Sequence, residues 1–218
     1  MDLVLFGIQG SGKGTQAAFL WEKYRFLRFG SGHALREIVR EGISPHTEEI
    51  KQHLQTGTLV PDEVIFDELE RFIQEHHASG LPIIFDGLPR NSTQLEKFQE
   101  VMKKYGRTFQ GMYFDISLSE ALARISLRKE CSQCGHPEVV VRIGQKCSKC
   151  GGELIVRDDD ENEAVIMKRF ETFYLMTFPV IASMRTAEKL LVIPASQPPL
   201  QVFSVLDLHI QKYHYAQQ

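Results

Sequence analysis

The chain has no apolar run near the roughly 20 residues that a membrane-spanning helix needs. Asp2 and an early strand pattern stand where a secretory leader would carry its positive residues. Membrane association and export are therefore not expected, and the cytoplasm is the expected compartment. A basic excess is also missing: 25 Lys and Arg against 28 Asp and Glu leave a formal net charge of −3. Nucleic acid, which is held by surplus cations, is thus not an expected partner. No internal repeat, low-complexity tract or long Pro/Gly linker interrupts the 218 residues, which excludes solenoids and strings of modules. One main domain with small insertions fits this length, and a monomer is expected. No Ser-His or Cys-His arrangement suited to a covalent nucleophile is evident.

What is present begins with Gly7 to Gln16, G-I-Q-G-S-G-K-G-T-Q, directly after the apolar run Leu3 to Phe6. Gly7, Gly10, Gly12 and Gly14 let the backbone turn where a Cβ would clash, so that successive N–H groups, with that of Ser11 among them, face an anion. Lys13 reaches outward to the terminal phosphates, and Thr15 is placed to help hold magnesium. Ala17, Leu20, Trp21 and Tyr24 follow at helical spacing, which aims a positive helix N-terminus at the same charge. The general phosphate-loop pattern has Ser or Thr directly after Lys, whereas here Gly14 intervenes.

Further apolar runs at Phe26 to Phe29, Pro82 to Phe85, Met112 to Ile116 and Leu190 to Ile193 alternate with helical patterns. Because they are apolar on both faces, they predict parallel strands covered by helices on both sides. Stripes at Ile65, Leu69, Phe72 and Ile73, at Leu95, Phe98 and Met102, at Ala121, Leu122 and Ile125, and at Phe203, Leu206 and Ile210 predict core-facing helices. Pro179 is expected to kink or break a helix that begins near Glu163. Two stretches stand outside the alternation, one from about Ser31 to Val60 and the other from about Lys129 to Asp160. Both read as insertions at the edge of the sheet where ligands bind.

Cys131-x-x-Cys134 and Cys147-x-x-Cys150 form two knuckles, each followed by glycine (Gly135 and Gly151). The spacing predicts a closed four-thiolate zinc site, structural rather than catalytic, with His136 as a reserve ligand. Iron or cobalt would also suit these ligands. Two disulfides are the competing arrangement, and a chain without a secretory leader disfavours them. A zinc ribbon also serves in binding nucleic acid or protein partners, and that reading stays open at this point.

After the run ending at Phe85 comes Asp86-Gly87-Leu88-Pro89-Arg90, with Gln94 four residues on. An acid at the carboxyl end of a strand, in a phosphate-loop chain, is well placed to order magnesium and its waters. Arg124 and Arg128, spaced for one helical face, precede the cysteines, while Arg157 follows them and Arg169 lies on the next helix. With Lys13, Arg36 and Arg90 they form a set able to surround a multiply charged phosphate chain. The acidic run from Asp158 to Glu161 is read either as a solvated loop or as a partner for Arg157 or for groups on the donor side.

At this point the chain resembles the nucleoside monophosphate kinases, and among them the adenylate kinases of the long-lid, zinc-bearing type. The resemblance covers nearly the whole length. It rests on Gly7 to Gln16, with the Gly-Thr pair that family carries, on Ser31-Gly32-x-x-Leu35-Arg36 and on Gly57-x-Leu59-Val60-Pro61-Asp62. Asp86 to Arg90 with Gln94, Arg124, Arg128, the four cysteines, Arg157 and Lys168-Arg169 complete it. It implies an α/β phosphate-loop fold of three layers around a five-stranded parallel sheet. The core would comprise 1–30, 61–126 and 163–218, with a monophosphate-binding insertion at 31–60 and a zinc-bearing lid at 127–162.

The resemblance further implies the reaction MgATP + AMP ⇌ 2 ADP, with ATP, AMP and ADP as ligands. Gly10, Ser11, Gly12, Lys13, Gly14, Thr15, Arg124, Arg128 and Gln197 would hold ATP. Ser31, Arg36, Val60, Gly87, Arg90, Gln94, Arg157 and Arg169 would hold AMP. Lys13, Arg90, Arg128, Arg157 and Arg169 would neutralise the group in transfer, while Thr15 and Asp86 support magnesium. Three positions depart from the family: His33 stands where it usually has Asp, and Gln9 and Leu88 replace Pro and Phe. His33 is expected to weaken the ordering of waters around magnesium. The stretch Asp160-Glu161-Asn162 is one residue longer than usual before Arg169. Rival readings are the same chemistry on UMP or CMP, and a phosphate-loop ATP switch that uses its zinc ribbon to bind partners without turnover.

Overall fold

The computed structural model describes residues 1–215 apart from 43, 135, 136, 141, 143 and 157–161. Five strands, β1 (Asp2–Phe6), β2 (Leu27–Gly30), β3 (Ile83–Asp86), β4 (Phe109–Asp115) and β8 (Leu190–Pro194), form one sheet in the order β2-β3-β1-β4-β8. Every neighbouring pair is parallel. Side chains alternate across a strand, so each strand feeds two cores. Val4, Phe6, Phe29, Ile83 and Phe85 face one side, while Leu3, Leu5, Ile84, Met112, Phe114 and Ile193 face the other. The runs are therefore apolar on both faces along most of their length, as expected for a buried parallel sheet, with Arg28 the charged exception in β2.

Helices α2 (Ser31–Glu41), α3 (Thr47–Thr56), α4 (Asp62–His76), α5 (Ser92–Lys104) and α8 (Phe178–Thr186) pack on the first core. Helices α1 (Lys13–Tyr24), α6 (Leu118–Ser126), α7 (Glu163–Thr172) and α9 (Pro199–Tyr215) close the second. The helical stripes read from the sequence are these inner faces: Leu69, Ile73, Phe98, Ala121 and Leu206 are fully buried. Trp21 departs from its stripe, standing 46% exposed with Arg25 over its ring.

Local chemistry fixes the helix ends. Asn91 Oδ1 accepts from the Gln94 amide at 2.8 Å to start α5, and Ser117 and Glu120 form a reciprocal capping box on α6. Glycines at φ +68° and +71° stop α2 and α3. Pro179 lies in the first turn of α8, and the five residues before α8, Phe173–Thr177, wind as a π-helix. Proline has no N–H to give to the preceding turn, so the chain widens there and continues instead of stopping. No described helix is long and apolar enough to cross a membrane.

A second, antiparallel sheet stands apart in the order β6-β5-β7, built from β5 (Arg128–Cys131), β6 (Pro137–Val139) and β7 (Leu154–Ile155). Arg128 opens β5, whereas helix α6 ends at Ser126. Arg124 and Arg128 thus do not share a helical face, because the helix ends before Arg128 and the chain changes period there.

Candidate active site and metal centre

β1 lies in the middle of the parallel sheet, and the loops after β1 and β3 leave its carboxyl edge side by side, the usual ligand position in such sheets. The loop Gly7 to Gly12 turns through positive φ at Gly7, Gly10 and Gly12. A Cβ on Gly10 would stand 2.6 Å from the Ala121 carbonyl oxygen, so this turn needs glycine for space as well as for φ. Gly14 differs from the expectation: it lies within α1 without positive φ, and its missing side chain leaves room for Arg28, whose Nη2 is 3.5 Å from the Cβ position. Ser11 is buried, and Thr15 is exposed on the first turn of α1.

Lys13 Nζ donates to Gly7 O at 2.6 Å, Ile8 O at 3.0 Å and Ser11 Oγ at 3.3 Å. Burial pushes its ammonium down to about 8, with Arg90, Arg128 and Arg28 adding to the fall and Asp86 opposing it. Asp86 ends β3. Burial alone would raise its carboxyl, yet Lys13, Arg28 and Arg90 together hold it below the usual range, so it stays ionised. Arg28 Nη2 donates to Asp86 Oδ2 at 2.7 Å.

Beyond Asp86 the chain ties a knot. Ser31 Oγ donates to Gly87 O at 2.8 Å, Arg90 Nε donates to the same oxygen at 2.7 Å, and Arg90 Nη2 donates to Ser31 Oγ at 3.2 Å. Gln94, buried, accepts from the Arg90 amide at 2.7 Å through Oε1 and donates Nε2 to Asp62 Oδ1 at 2.7 Å. Burial lowers the Arg90 guanidinium, and Arg169 and Arg36 lower it further. Leu88 is buried in the core beside a cis peptide to Pro89, and Val60 is buried in the same core.

The remaining expected residues divide. Arg169 Nη1 donates to Gln9 Oε1 at 3.2 Å and Nη2 to Leu54 O at 3.2 Å, so Gln9 joins the phosphate loop to α7. Arg36 folds back over Gly32, its Nη1 3.4 Å from the Cβ position there. Arg124 Nη2 donates to Ala195 O at 2.9 Å and Ser196 O at 3.3 Å, fixing the loop that carries exposed Gln197. His33 is exposed on α2, its Cβ 3.6 Å from the Cβ position of Gly30. Arg157, Gly135, His136 and the acidic run Asp158 to Glu161 lie outside the described residues. Arg28 is the site residue that sequence reasoning missed, and its signal was a lone charge inside the apolar run Phe26 to Phe29.

In the small sheet the four thiols converge. All four Sγ atoms lie within 4.8 Å of one another, with separations of 3.4 Å for Cys131 and Cys150, 3.7 Å for Cys134 and Cys147, and 3.4 Å for Cys134 and Cys150. A disulfide needs about 2.05 Å, whereas the sulfur edges of a zinc tetrahedron with bonds of about 2.3 Å measure about 3.8 Å. All four cysteines are free thiols. The Cys134 and Gln133 amides lower the Cys131 thiol, whereas at Cys150 the pull of the Gly152 amide is outweighed by the Cys134, Cys131 and Cys147 sulfurs, which raise the thiol. Gly151 turns at φ +74° after the second knuckle, and a Cβ on Gly152 would stand 2.8 Å from Cys131 Sγ. Donor set and spacing therefore fit a structural metal.

A sequence profile of the adenylate kinase family matches residues 5–189. Among curated proteins, the adenylate kinase of Thermodesulfovibrio yellowstonii is 36% identical over 187 residues, covering 83% of this chain and 85% of that one. The adenylate kinase of Fervidobacterium nodosum is 32% identical over 212 residues, covering 94% and 95%. That of Chlamydia trachomatis serovar D is 34% identical over 218 aligned positions, covering 94% and 88%. A match of this length, over a parallel sheet whose carboxyl edge gathers a phosphate loop, one ionised carboxylate and converging arginines, places the chain in the adenylate kinase family.

Proposed function

We propose that the protein transfers a phosphoryl group reversibly between MgATP and AMP, giving two ADP. The observation that carries this reading is the convergence of Lys13, Asp86 and Arg90 where β1 and β3 end, with Arg128 of the small sheet in electrostatic reach of Lys13. Such an edge suits two polyanions meeting end to end. A phosphate oxygen of AMP attacks the γ-phosphorus of ATP in line, and the bond to the β-phosphate oxygen of ADP breaks. No proton transfer or covalent enzyme intermediate is required, so positioning and charge stabilisation are the protein's contribution.

In this reading the loop from Gly10 to Gly14, Lys13, Arg124, Arg128 and the Gln197 stretch hold ATP. Ser31, Arg36, Val60, Gly87, Arg90 and Gln94 hold AMP, and Arg157 and Arg169 act on the same phosphates. Magnesium, when bound with ATP, neutralises phosphate charge; Thr15 and ionised Asp86 are hard oxygen donors that suit it, directly or through waters. Zinc in the four-thiolate centre folds the small sheet without entering the chemistry. Segments 31–60 and 127–162 act as closing insertions on the core formed by 1–30, 61–126 and 163–218, excluding water as a competing acceptor. We place the protein in the cytoplasm as a monomer, with nucleotides rather than nucleic acid or membrane as its partners.

The test is a coupled assay of MgATP with AMP, UMP, CMP and GMP, with Arg90→Ala as control. Turnover with AMP alone that collapses in the control supports the proposal. Turnover on UMP or CMP redirects it to another monophosphate. Tight ATP binding with no turnover on any acceptor replaces it with an ATP switch.

A further inference from the structure

Among the described site residues, Asp86 is the one acid set against several cations, and its hydrogen-bonded partner, Arg28, is unexpected. Arg28, two residues before the end of β2, pairs with Ile84, while Gly30 pairs with Asp86. Its guanidinium runs along the sheet edge to meet Asp86 Oδ2 at 2.7 Å and lies over Gly14, next to Thr15. It also helps to depress the Lys13 ammonium. Arg28 thus holds Asp86 and stands at the first turn of α1, the turn that carries Thr15; Asp86 and Thr15 are the two residues to which the function above assigns magnesium. His33 of α2 stands near Arg28, its Cβ 3.6 Å and Arg28 Nε 3.9 Å from the Cβ position of Gly30, so among the described residues the neighbour of Asp86 here is a fixed cation.

We propose that Arg28 is a positioning residue that shares Asp86 with magnesium and thereby loosens the dependence of nucleotide binding on the metal. The physical reason is charge. A carboxylate already holding a guanidinium attracts a second cation less strongly, because the metal must compete for Oδ2 and meets the repulsion of Arg28. The same guanidinium, beside the phosphate loop, attracts phosphate oxygens whether or not a metal accompanies them. Both effects act in one direction: metal-free ATP binds better and added magnesium gains less. The side chain of Arg28 is 42% exposed, so the pair is worth only a modest factor.

The inference rests on the assignment of Asp86 to magnesium, and the experiment separates the two. ATP binding to the full chain is measured by calorimetry in EDTA and in excess MgCl2, and the ratio of the two Kd values gives the metal coupling. Arg28→Gln should raise that ratio by about threefold or more, by weakening metal-free binding and strengthening metal-supported binding. Arg28→Lys, which keeps the charge and loses the fork, should fall between it and the parent. Asp86→Asn should abolish most of the coupling, and adding Arg28→Gln to it should change the ratio by less than Arg28→Gln does in the parent, since the competition for Oδ2 is already gone. Thermal melting verifies that each variant is folded, which a half-exposed side chain permits. An unchanged ratio in Arg28→Gln with coupling lost in Asp86→Asn overturns the role of Arg28 and leaves Asp86 in place. An unchanged ratio in both overturns the magnesium assignment and the inference with it.

Discussion

Replacing Gly87 by Ala probes the knot between β3 and α5 more sharply than removing any charged residue. Gly87 sits at φ +87°, and a Cβ there would collide with Ser31 Oγ and stand 2.9 Å from Arg90 Nη2. Two costs follow. Left-handed backbone costs an ordinary residue about 1–2 kcal/mol. With an unfolding entropy of about 0.46 kcal/mol/K for 218 residues, Tm should fall by about 2–4 °C. The second cost is local, since the methyl displaces the hydroxyl of Ser31 and the fork of Arg90, which share the Gly87 oxygen at 2.7–2.8 Å. If that fork holds the AMP phosphate, losing one charge-assisted bond costs about 1.5–3 kcal/mol, and KM for AMP rises about 10- to 100-fold. KM for ATP should stay within about threefold, because the phosphate-loop glycines are untouched. Coupled initial rates with each substrate varied in turn, alongside a melting curve, give both numbers. A folded variant with unchanged KM for AMP, or with equal rises for both nucleotides, would refute the placement of AMP beside Gly87.

Three further outcomes follow from the structure. Asp2 and Arg107 form a buried pair, 2% and 13% exposed, in which Asp2 also accepts the Ile83 amide; Asp2→Ala strands the guanidinium at about 3–5 kcal/mol and should lower Tm by about 7–11 °C, whereas a fall under about 3 °C would mean that water takes over the pairing. Metal analysis of protein purified under reductant should find one zinc per chain, released in Cys147→Ser with a lower Tm and retained metal-free ATP binding; an intact mass short of two hydrogen pairs would instead establish disulfides. Lys13, pushed by burial and then by its arginine neighbours down to about 8 from 10.5, binds fewer protons folded than unfolded between those values, so its contribution to stability rises with pH across that window. Phosphate should restore its charge, so ATP binding at pH 8 takes up about half a proton; calorimetry at that pH in Tris and in HEPES should give different enthalpies, and identical ones would sink the idea.

Strand and helix positions were legible because buried parallel strands are written as largely apolar runs. Leu3 to Phe6 and Leu190 to Ile193 reappear within a residue of β1 and β8. β4 begins three residues before the run at Met112, at Phe109, since Gln110 and Gly111 break the apolar text while the ladder to β1 continues. The arginines were legible as a set but not in their pairings. Arg124 holds the Ala195 loop and Arg169 holds Gln9 and Leu54, and such contacts depend on tertiary approach across many residues. Arg28 escaped notice because one charge in an apolar run reads as an edge-strand interruption. Its meaning arises only when β2 pairs with β3 and brings Asp86 alongside. Pro179 signalled a break, but the outcome is a π-turn within one continuous helical stretch, because packing of Phe170, Val180 and Ile181 into the cores keeps both halves in place.

The distribution of charge explains why the site suits a bound polyanion. Lys13, Arg28, Arg36, Arg90, Arg128 and Arg169 form one electrostatic set with the carboxylate of Asp86. Burial and mutual repulsion lower the ammonium of Lys13 and the guanidinium of Arg90, so part of the folding energy is held against the charge of the site. A phosphate chain supplies the balancing charge, and Lys13 and Arg169 can turn towards it only by leaving protein oxygens they now hold. For Lys13 those are Gly7 O and Ile8 O. For Arg169 they are Gln9 Oε1 in the phosphate loop and Leu54 O in α3, while Val165 of the same helix packs against the Cβ position of Gly57. Helix α7 thus joins the loop after β1 to the 31–60 segment, and if Arg169 turns to a phosphate, as the proposed function has it, both attachments loosen together.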